Sequence, residues 1–178
     1  MKIIKTEFKD LFIIENKVHK DLRGSFMELF RLDLLKKFVS YDFNFCQDNI
    51  VKSKKNVLRG LHYQNDQYSQ SKFVNVSHGK IIDVAVDLRK NSNTYGKVFK
   101  IELSSENNLA VFIPKGFAHG YLSLSELNCV NYKVDNYYNS VNEKGIKFDD
   151  PYLNIDWGIN SDKLIISEKD LGLSNYIW

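Results

Sequence analysis

Apolar and polar residues alternate with a period of two in one short segment after another. Such segments run from Leu11 to Glu15, Ser25 to Arg31, Phe43 to Asn49, Lys72 to His78, Ile81 to Leu88, Val98 to Leu103, Ala110 to Ile113, Gly120 to Leu124 and Val130 to Val134. Period-two alternation buries one face of a strand, so the pattern predicts an all-β barrel or sandwich. Gly24, Gly79, Gly96, Gly116 and Gly145 stand between segments, where turns can use positive φ. Helical patterning is confined to Leu32 to Phe38 and a short turn near Ser167 to Leu171. The 178 residues are 43% hydrophobic and 13% aromatic, enough for one large core. With no repeat, low-complexity tract or linker in view, a single domain over residues 1–178 is expected.

Several classes are disfavoured. No run approaches the roughly 18 apolar residues that span a bilayer, and MKIIKTEFKD is charged where a signal peptide is apolar. A cytoplasmic protein without a membrane partner is expected. The 25 basic and 22 acidic side chains are too evenly spread for a nucleic-acid footprint. A small anionic ligand stays compatible, because a local basic cleft needs no basic protein. Lys52, Lys54 and Lys55 read as a solvated loop. Cys46 and Cys129 lie far apart without metal or redox spacing, and read as free buried thiols.

The informative positions break the alternation. In Ile81 to Leu88, Ile82, Val84, Val86 and Leu88 form an apolar side, and Ile81, Asp83, Ala85 and Asp87 a mostly polar one, so one face must be core. Lys72 shares parity with Val74 and Val76, which places an ammonium on an apolar face, where burial is costly without a partner or a cleft. Tyr132 shares parity with Val130 and Val134, and Glu28 lies between Phe26 and Phe30. Phe43, Phe45, Gln47 and Asn49 change from aromatic to amide along one side, as at a binding mouth. Each has an ordinary alternative: Tyr132 with its hydroxyl at the core rim, Lys72 snorkelling outward, Glu28 bridged to Arg23 or Arg31. Taken jointly, they predict inward-facing polar groups.

Of the four histidines, His19 reads as a surface residue and His78 as a turn residue, which leaves His62 and His119 for chemistry. A barrel of this kind suggests a cupin, many of which hold a metal through an HxH pair. Leu58-Arg59-Gly60-Leu61-His62-Tyr63-Gln64 has one histidine and a glutamine instead, so no metal is expected. Simple alternation puts Arg59 and His62 on opposite faces. For both to line one pocket, the backbone must slip at Gly60, as in a bulge.

The blocks Asp21-Leu22-Arg23-Gly24-Ser25-Phe26-Met27-Glu28, Gln47-Asp48-Asn49, LRGLHYQ (residues 58–64), Asp83 to Arg89 and PKGFAHG (residues 114–120) are similar, in order and spacing, to those of the dTDP-4-dehydrorhamnose 3,5-epimerases. Tyr132-Lys133, Tyr137-Tyr138, Asp149-Asp150-Pro151, Trp157 and Ser167-Glu168-Lys169-Asp170 extend the resemblance over roughly residues 5 to 172. It implies a metal-free cupin-type jelly-roll barrel with a few short helices. It also implies a homodimer in which an early strand of one subunit reaches the neighbour's ligand site. By matching position, His62 would be the base, Asp170 its orienting carboxylate, Tyr132 the proton donor and Lys72 the stabiliser of the enolate. Arg23, Phe26, Glu28, Gln47, Asp48, Asn49, Arg59, His119, Tyr138, Glu143 and Lys169 would bind the nucleotide-diphospho-4-keto sugar.

That chemistry suits those residue types. Inversion beside a ketone needs a base on one face and an acid on the other. A neutral imidazole fixed by a carboxylate suits the first task, and a phenol beside a cationic lysine the second. A preorganised ammonium stabilises the oxyanion, and the planar fork of Arg59 suits phosphate oxygens. No cofactor is required, because the ketone is already in the substrate. The same residues would serve a single-carbon epimerase or an enzyme for another nucleotide sugar, such as a GDP-linked 4-keto-6-deoxy heptose. A non-catalytic sugar-binding cupin is the alternative from another class. Ser25-Phe26-Met27 departs from relatives that carry a second aromatic residue there, which bears on base or sugar selectivity.

Overall fold

The alternating segments become strands. A computed structural model describes residues 1–178 apart from the side chain of Asp66. The strands are β1 (Lys2–Lys5), β2 (Phe12–Glu15), β3 (Val18–Asp21), β4 (Gly24–Met27), β5 (Gln47–Lys54), β6 (Leu58–Gln64), β7 (Lys72–His78), β8 (Lys80–Asp87), β9 (Val98–Ser104), β10 (Leu109–Ile113), β11 (Phe117–Ser123), β12 (Leu127–Val134) and β13 (Glu143–Gly145). Two one-turn helices join them, α1 (Leu32–Leu35) and α2 (Glu168–Leu171). One sheet has the order β1-β2-β10-β7-β12-β5 and the other β13-β6-β11-β8-β9, with antiparallel neighbours throughout. The result is a jelly-roll barrel of the cupin type. The hairpin β3–β4 forms a separate two-stranded ribbon.

The sheets pack face to face, and part of each outer face is covered as well. Between the sheets pack Leu11, Val74, Val76, Ile81, Ala85, Leu103, Val111 and Val130. Outside the second sheet, Val84, Val86, Ala118 and Leu122 meet Ile146, Phe148, Leu153 and Trp157 of the C-terminal segment. Outside the first, Phe12, Phe73 and Phe112 meet Leu35, Val39 and Phe43. Burying an aliphatic or aromatic side chain contributes roughly 1.5–3 kcal/mol, so three such layers drive the assembly.

This double covering corrects the reading of β8. Its mostly polar side, with Asp83 between Ile81 and Ala85, shares the barrel interior, while the apolar side lies under the C-terminal segment. A strand buried on both faces has no solvent side for polarity to mark. Three segments are shorter than alternation suggests. Residues 43–46 lie outside any strand, because Phe43 and Phe45 turn into an aromatic cluster with Phe112 and Phe30. Residues 28–31 leave β4 likewise, and Phe30 packs on Phe73 with centroids 5.1 Å apart. The predicted helix at 32–38 stops after Leu35.

Lys52 and Lys54 lie on β5 and not in a loop, exposed on the sheet edge. Cys46 is exposed and Cys129 half-buried, both free, so the expectation of two buried thiols is wrong. Among the described residues, no helix is long and apolar enough to cross a membrane.

Candidate active site

The strand β6 carries Arg59 and His62 to one place. Arg59 pairs with Tyr121 and His62 with His119 on β11, so three steps along β6 match two along β11. The extra residue is taken up at Gly60, whose φ is +97° and whose following peptide bond is cis. This is the expected bulge. A Cβ on Gly60 would lie 2.6 Å from the His119 carbonyl oxygen and 2.8 Å from Gly120 Cα, so only glycine fits.

His62 and Arg59 line a cavity of about 250 Å³ together with Lys72, His119, Tyr121, Tyr132, Ser167, Lys169 and Asp170. A second lobe of about 120 Å³ shares His62, Lys72 and Tyr132 and adds Gln64, Gln70, Tyr138 and Glu143. The three shared side chains stand where the lobes meet. His62 comes from the second sheet, whereas Lys72 on β7 and Tyr132 on β12 come from the first, so they approach the cavity from opposing walls.

Each polar group is held by a named partner. His62 Nε2 lies 2.7 Å from Asp170 Oδ1, and the Gly60 N–H donates to Asp170 Oδ2 at 3.1 Å. Ser167 caps α2, its Oγ accepting from the Asp170 N–H at 3.1 Å. The ring of His62 keeps 27% of its surface while Asp170 keeps 5%, so the imidazole faces the cavity and its carboxylate stands behind it. Burial works against the charge on Asp170. The hydrogen bonds from His62 and Gly60 outweigh it and hold the carboxyl below its ordinary value.

His119 Nε2 lies 2.8 Å from Asp83 Oδ2, and burial lowers the basicity of the imidazole. Burial also brings Lys72 down to about 8, partly offset by Asp83 and Glu143. Burial raises Tyr132, and the cation acting against this is Arg59. The picture of a phenol made more acidic by Lys72 is therefore corrected, since a desolvated phenol holds its proton. Lys169 Nζ and Tyr138 Oη both donate to Glu143 Oε2, at 2.5 Å and 2.7 Å. Arg59 Nε donates to Ser53 Oγ at 3.2 Å, and the guanidinium makes no ion pair among the described residues. Nor do those residues include a group of three or more His, Cys, Asp or Glu able to hold a metal ion.

The model of the dTDP-4-dehydrorhamnose 3,5-epimerase family matches residues 5–176. The chain belongs to that family. The dTDP-4-dehydrorhamnose 3,5-epimerase of Escherichia coli K12 is 45% identical over 170 residues, covering 96% of this chain and 91% of the relative. The crystal structure of the dTDP-4-dehydrorhamnose 3,5-epimerase from Elizabethkingia anophelis superposes with a TM-score of 0.94 at 45% identity, covering 99% of this chain and 96% of that one. The dTDP-6-deoxy-D-glucose-3,5-epimerase from Legionella pneumophila, solved with dTDP-4-keto-L-rhamnose, superposes at 0.92 with 41% identity, over 98% and 92%.

Not every residue expected at the ligand site is in the cavity. Arg23 and Phe26 sit on the β3–β4 hairpin, where they line a separate surface concavity. Arg23 is tied to Asp21 at 2.6 Å, and Phe26 is 67% exposed. Glu28, read as inward-facing, is exposed just beyond β4, because the backbone leaves the strand before it. Asp48 faces the opposite side of β5 from Gln47 and Asn49 and pairs with Lys133, so it does not join the cavity. Gln47 lines neither lobe: its Nε2 donates to Asn49 Oδ1 at 2.9 Å, and its Oε1 accepts the Tyr138 N–H at 3.3 Å. Asn49 is the register partner of Tyr132.

Sequence reasoning missed Asp83, Tyr121 and Ser167. Asp83 was visible as a carboxylate between apolar neighbours, on the mostly polar side of its strand. Ser167 was legible as the first residue of a capping pattern, Ser-Glu-Lys-Asp.

Proposed function

We propose that the protein inverts C3 and C5 of dTDP-4-dehydro-6-deoxyglucose to give dTDP-4-dehydrorhamnose, with His62 as base, Tyr132 as acid and Lys72 as the cation facing the developing oxyanion. It is an isomerase of the nucleotide-sugar 3,5-epimerase type. The observation that carries the residue assignment is that His62, backed by Asp170, and Tyr132 line one cavity from opposing sheets with Lys72 beside them.

A carboxylate can only accept hydrogen bonds, so the Asp170 contact places the proton of neutral His62 on Nε2 and leaves the Nδ1 lone pair for the substrate. Nδ1 takes the proton from the carbon beside the C4 ketone, and the C–H electron pair moves into the enolate. Asp170 stabilises the imidazolium that forms. The negative charge on O4 falls beside the Lys72 ammonium in a partly dry cavity, where it is worth more than in water. Tyr132, whose burial keeps its proton in place, protonates the same carbon from the opposite face. The sequence repeats at the other carbon after solvent restores both groups. Arg59 takes diphosphate oxygens through its planar fork.

Arg23, Phe26 and Glu28 fit this reading if the protein is a homodimer whose β3–β4 hairpin completes the partner's site. Their exposure on a ribbon apart from the cavity supports that arrangement.

The test is incubation with dTDP-4-dehydro-6-deoxyglucose in deuterated water, with NMR at each sugar carbon. Deuterium is expected at C3 and C5 and is lost in His62→Ala. Exchange at C3 alone would reject the two-carbon claim. Faster exchange of a GDP- or UDP-linked 4-keto sugar would reject the dTDP assignment.

A further inference from the structure

The role given to Lys72 leaves a question of charge balance. Lys72 projects into the barrel on the apolar face of β7 and makes no ion pair among the described residues. A buried ammonium without a countercharge sheds its proton, and a neutral amine is a poor partner for an enolate. The titratable and charged groups facing it from the surrounding elements are Arg59, His62 and Tyr63 on β6, His119 and Tyr121 on β11, Tyr132 on β12, Glu143 on β13, Tyr138 before it, and Lys169 and Asp170 on α2. Most are cationic or neutral. Asp170 is committed to His62 and Gly60, and Glu143 to Lys169 and Tyr138.

Asp83 is the remaining carboxylate. It has no solvent exposure and faces the interior from β8 beneath His119. One oxygen is 2.8 Å from His119 Nε2, and the other, Oδ1, is buried with no hydrogen-bond partner among the described residues. An unpaired buried carboxylate oxygen is expensive and needs a physical reason. No cation lies within ion-pair distance of Oδ1 among the described residues, and the cation it acts on at longer range is Lys72, for which Asp83 is the foremost negative charge.

We propose that Asp83 is a positioning residue: it holds neutral His119 in the Nε2–H tautomer and supplies the buried negative charge that keeps Lys72 an ammonium in the cavity. The inference rests on the reading of this cavity as the epimerase site. It gives the cavity two His–Asp pairs with different duties. Asp170 backs an imidazole that must gain a proton, whereas Asp83 backs one that burial keeps neutral.

The test compares Asp83→Asn and His119→Gln with wild type in kcat against pH, together with the titration of Lys72 followed by NMR of 13Cε-lysine, its signal identified by its absence in Lys72→Arg. Asp83→Asn is expected to move both the alkaline limb and the Lys72 titration down by about one pH unit or more, so that kcat at pH 8 falls about fivefold or more and much less near pH 6.5. His119→Gln, which keeps the charge of Asp83, is expected to leave both midpoints in place. An unmoved Lys72 titration in Asp83→Asn, or an equal movement in His119→Gln, overturns the proposal. Should Asp83→Asn not fold, long-range 1H–15N spectra of the wild-type enzyme decide. Neutral His119 with Nε2–H between about pH 6 and 8 supports the proposal, and the Nδ1–H tautomer or an imidazolium overturns it. Wild-type enzyme without epimerase activity would defeat the functional reading instead, while the two NMR measurements still judge Asp83.

Discussion

Arg59 and His62 stand three residues apart on β6 yet pair with residues two apart on β11, and this one-residue mismatch brings a guanidinium and an imidazole to the same cavity. The device depends on Gly60, because no other residue fits between β6 and the His119 carbonyl at that φ. Gly60→Ala is expected to destabilise the fold by about 2–4 kcal/mol, from positive φ and the backbone clash together. Activity should fall further than stability alone dictates, because the Gly60 N–H also orients Asp170. Urea unfolding alongside kcat decides this. A variant of wild-type stability with wild-type activity would mean that the bulge is not needed.

On the proposed mechanism, Lys72 gives the reaction an alkaline limit. Burial brings its ammonium down to about 8, so the cation facing the oxyanion is present below that pH and lost as pH rises through it. A profile of kcat is therefore expected to decline with a midpoint near pH 8, at saturating substrate so that binding does not enter. Tyr132 does not set this limb, because its burial moves it upward and away from that range. A rate that stays flat up to pH 10 would show that the charge on Lys72 is not used.

What the sequence made legible followed from local periodicity. Lys72 and Tyr132 were assigned to the interior because strand parity is a two-residue rule that needs no knowledge of the partner strand, and the cavity contains both. The bulge at Gly60 was legible for the same reason, as the one slip that reconciles Arg59 with His62. Asp83 was not, because parity tells two faces apart but not which is inside, and in β8 the apolar face packs under the C-terminal segment. Glu28 failed for a related reason: alternation continued past the residue where β4 ends. Asp48 was carried along with Gln47 and Asn49 by motif, though neighbours on a strand face opposite ways.

Ser167 and Asp170 make a graded test of the base. In Asp170→Asn an amide replaces the carboxylate, which removes the charge that stabilises the imidazolium and permits the other tautomer. Proton abstraction is expected to fall by a factor on the order of 10³–10⁴, by analogy with other imidazole–carboxylate pairs. Ser167→Ala removes only the cap that fixes the Asp170 backbone, at a cost of about 1 kcal/mol of stability, and kcat should drop severalfold without a change in substrate affinity. Deuterium exchange at C3 in both variants measures the base alone. Equal losses would mean that Ser167 acts on the substrate directly.

The hairpin offers a test of whether the cavity of one chain is the whole site. Arg23, Phe26 and Glu28 lie apart from His62 in the chain's own fold, so a homodimer that shares them would build each site from two subunits. Arg23→Ala and His62→Ala should each be nearly inactive, the first by losing an anion contact and the second by losing the base. In a mixed dimer, one site combines the intact cavity of the Arg23 variant with the intact hairpin of the His62 variant. Activity is therefore expected to reappear when the two inactive proteins are co-expressed or are mixed under conditions that exchange subunits. If each cavity used its own hairpin, both sites of the mixed dimer would stay defective, and mixing would restore nothing.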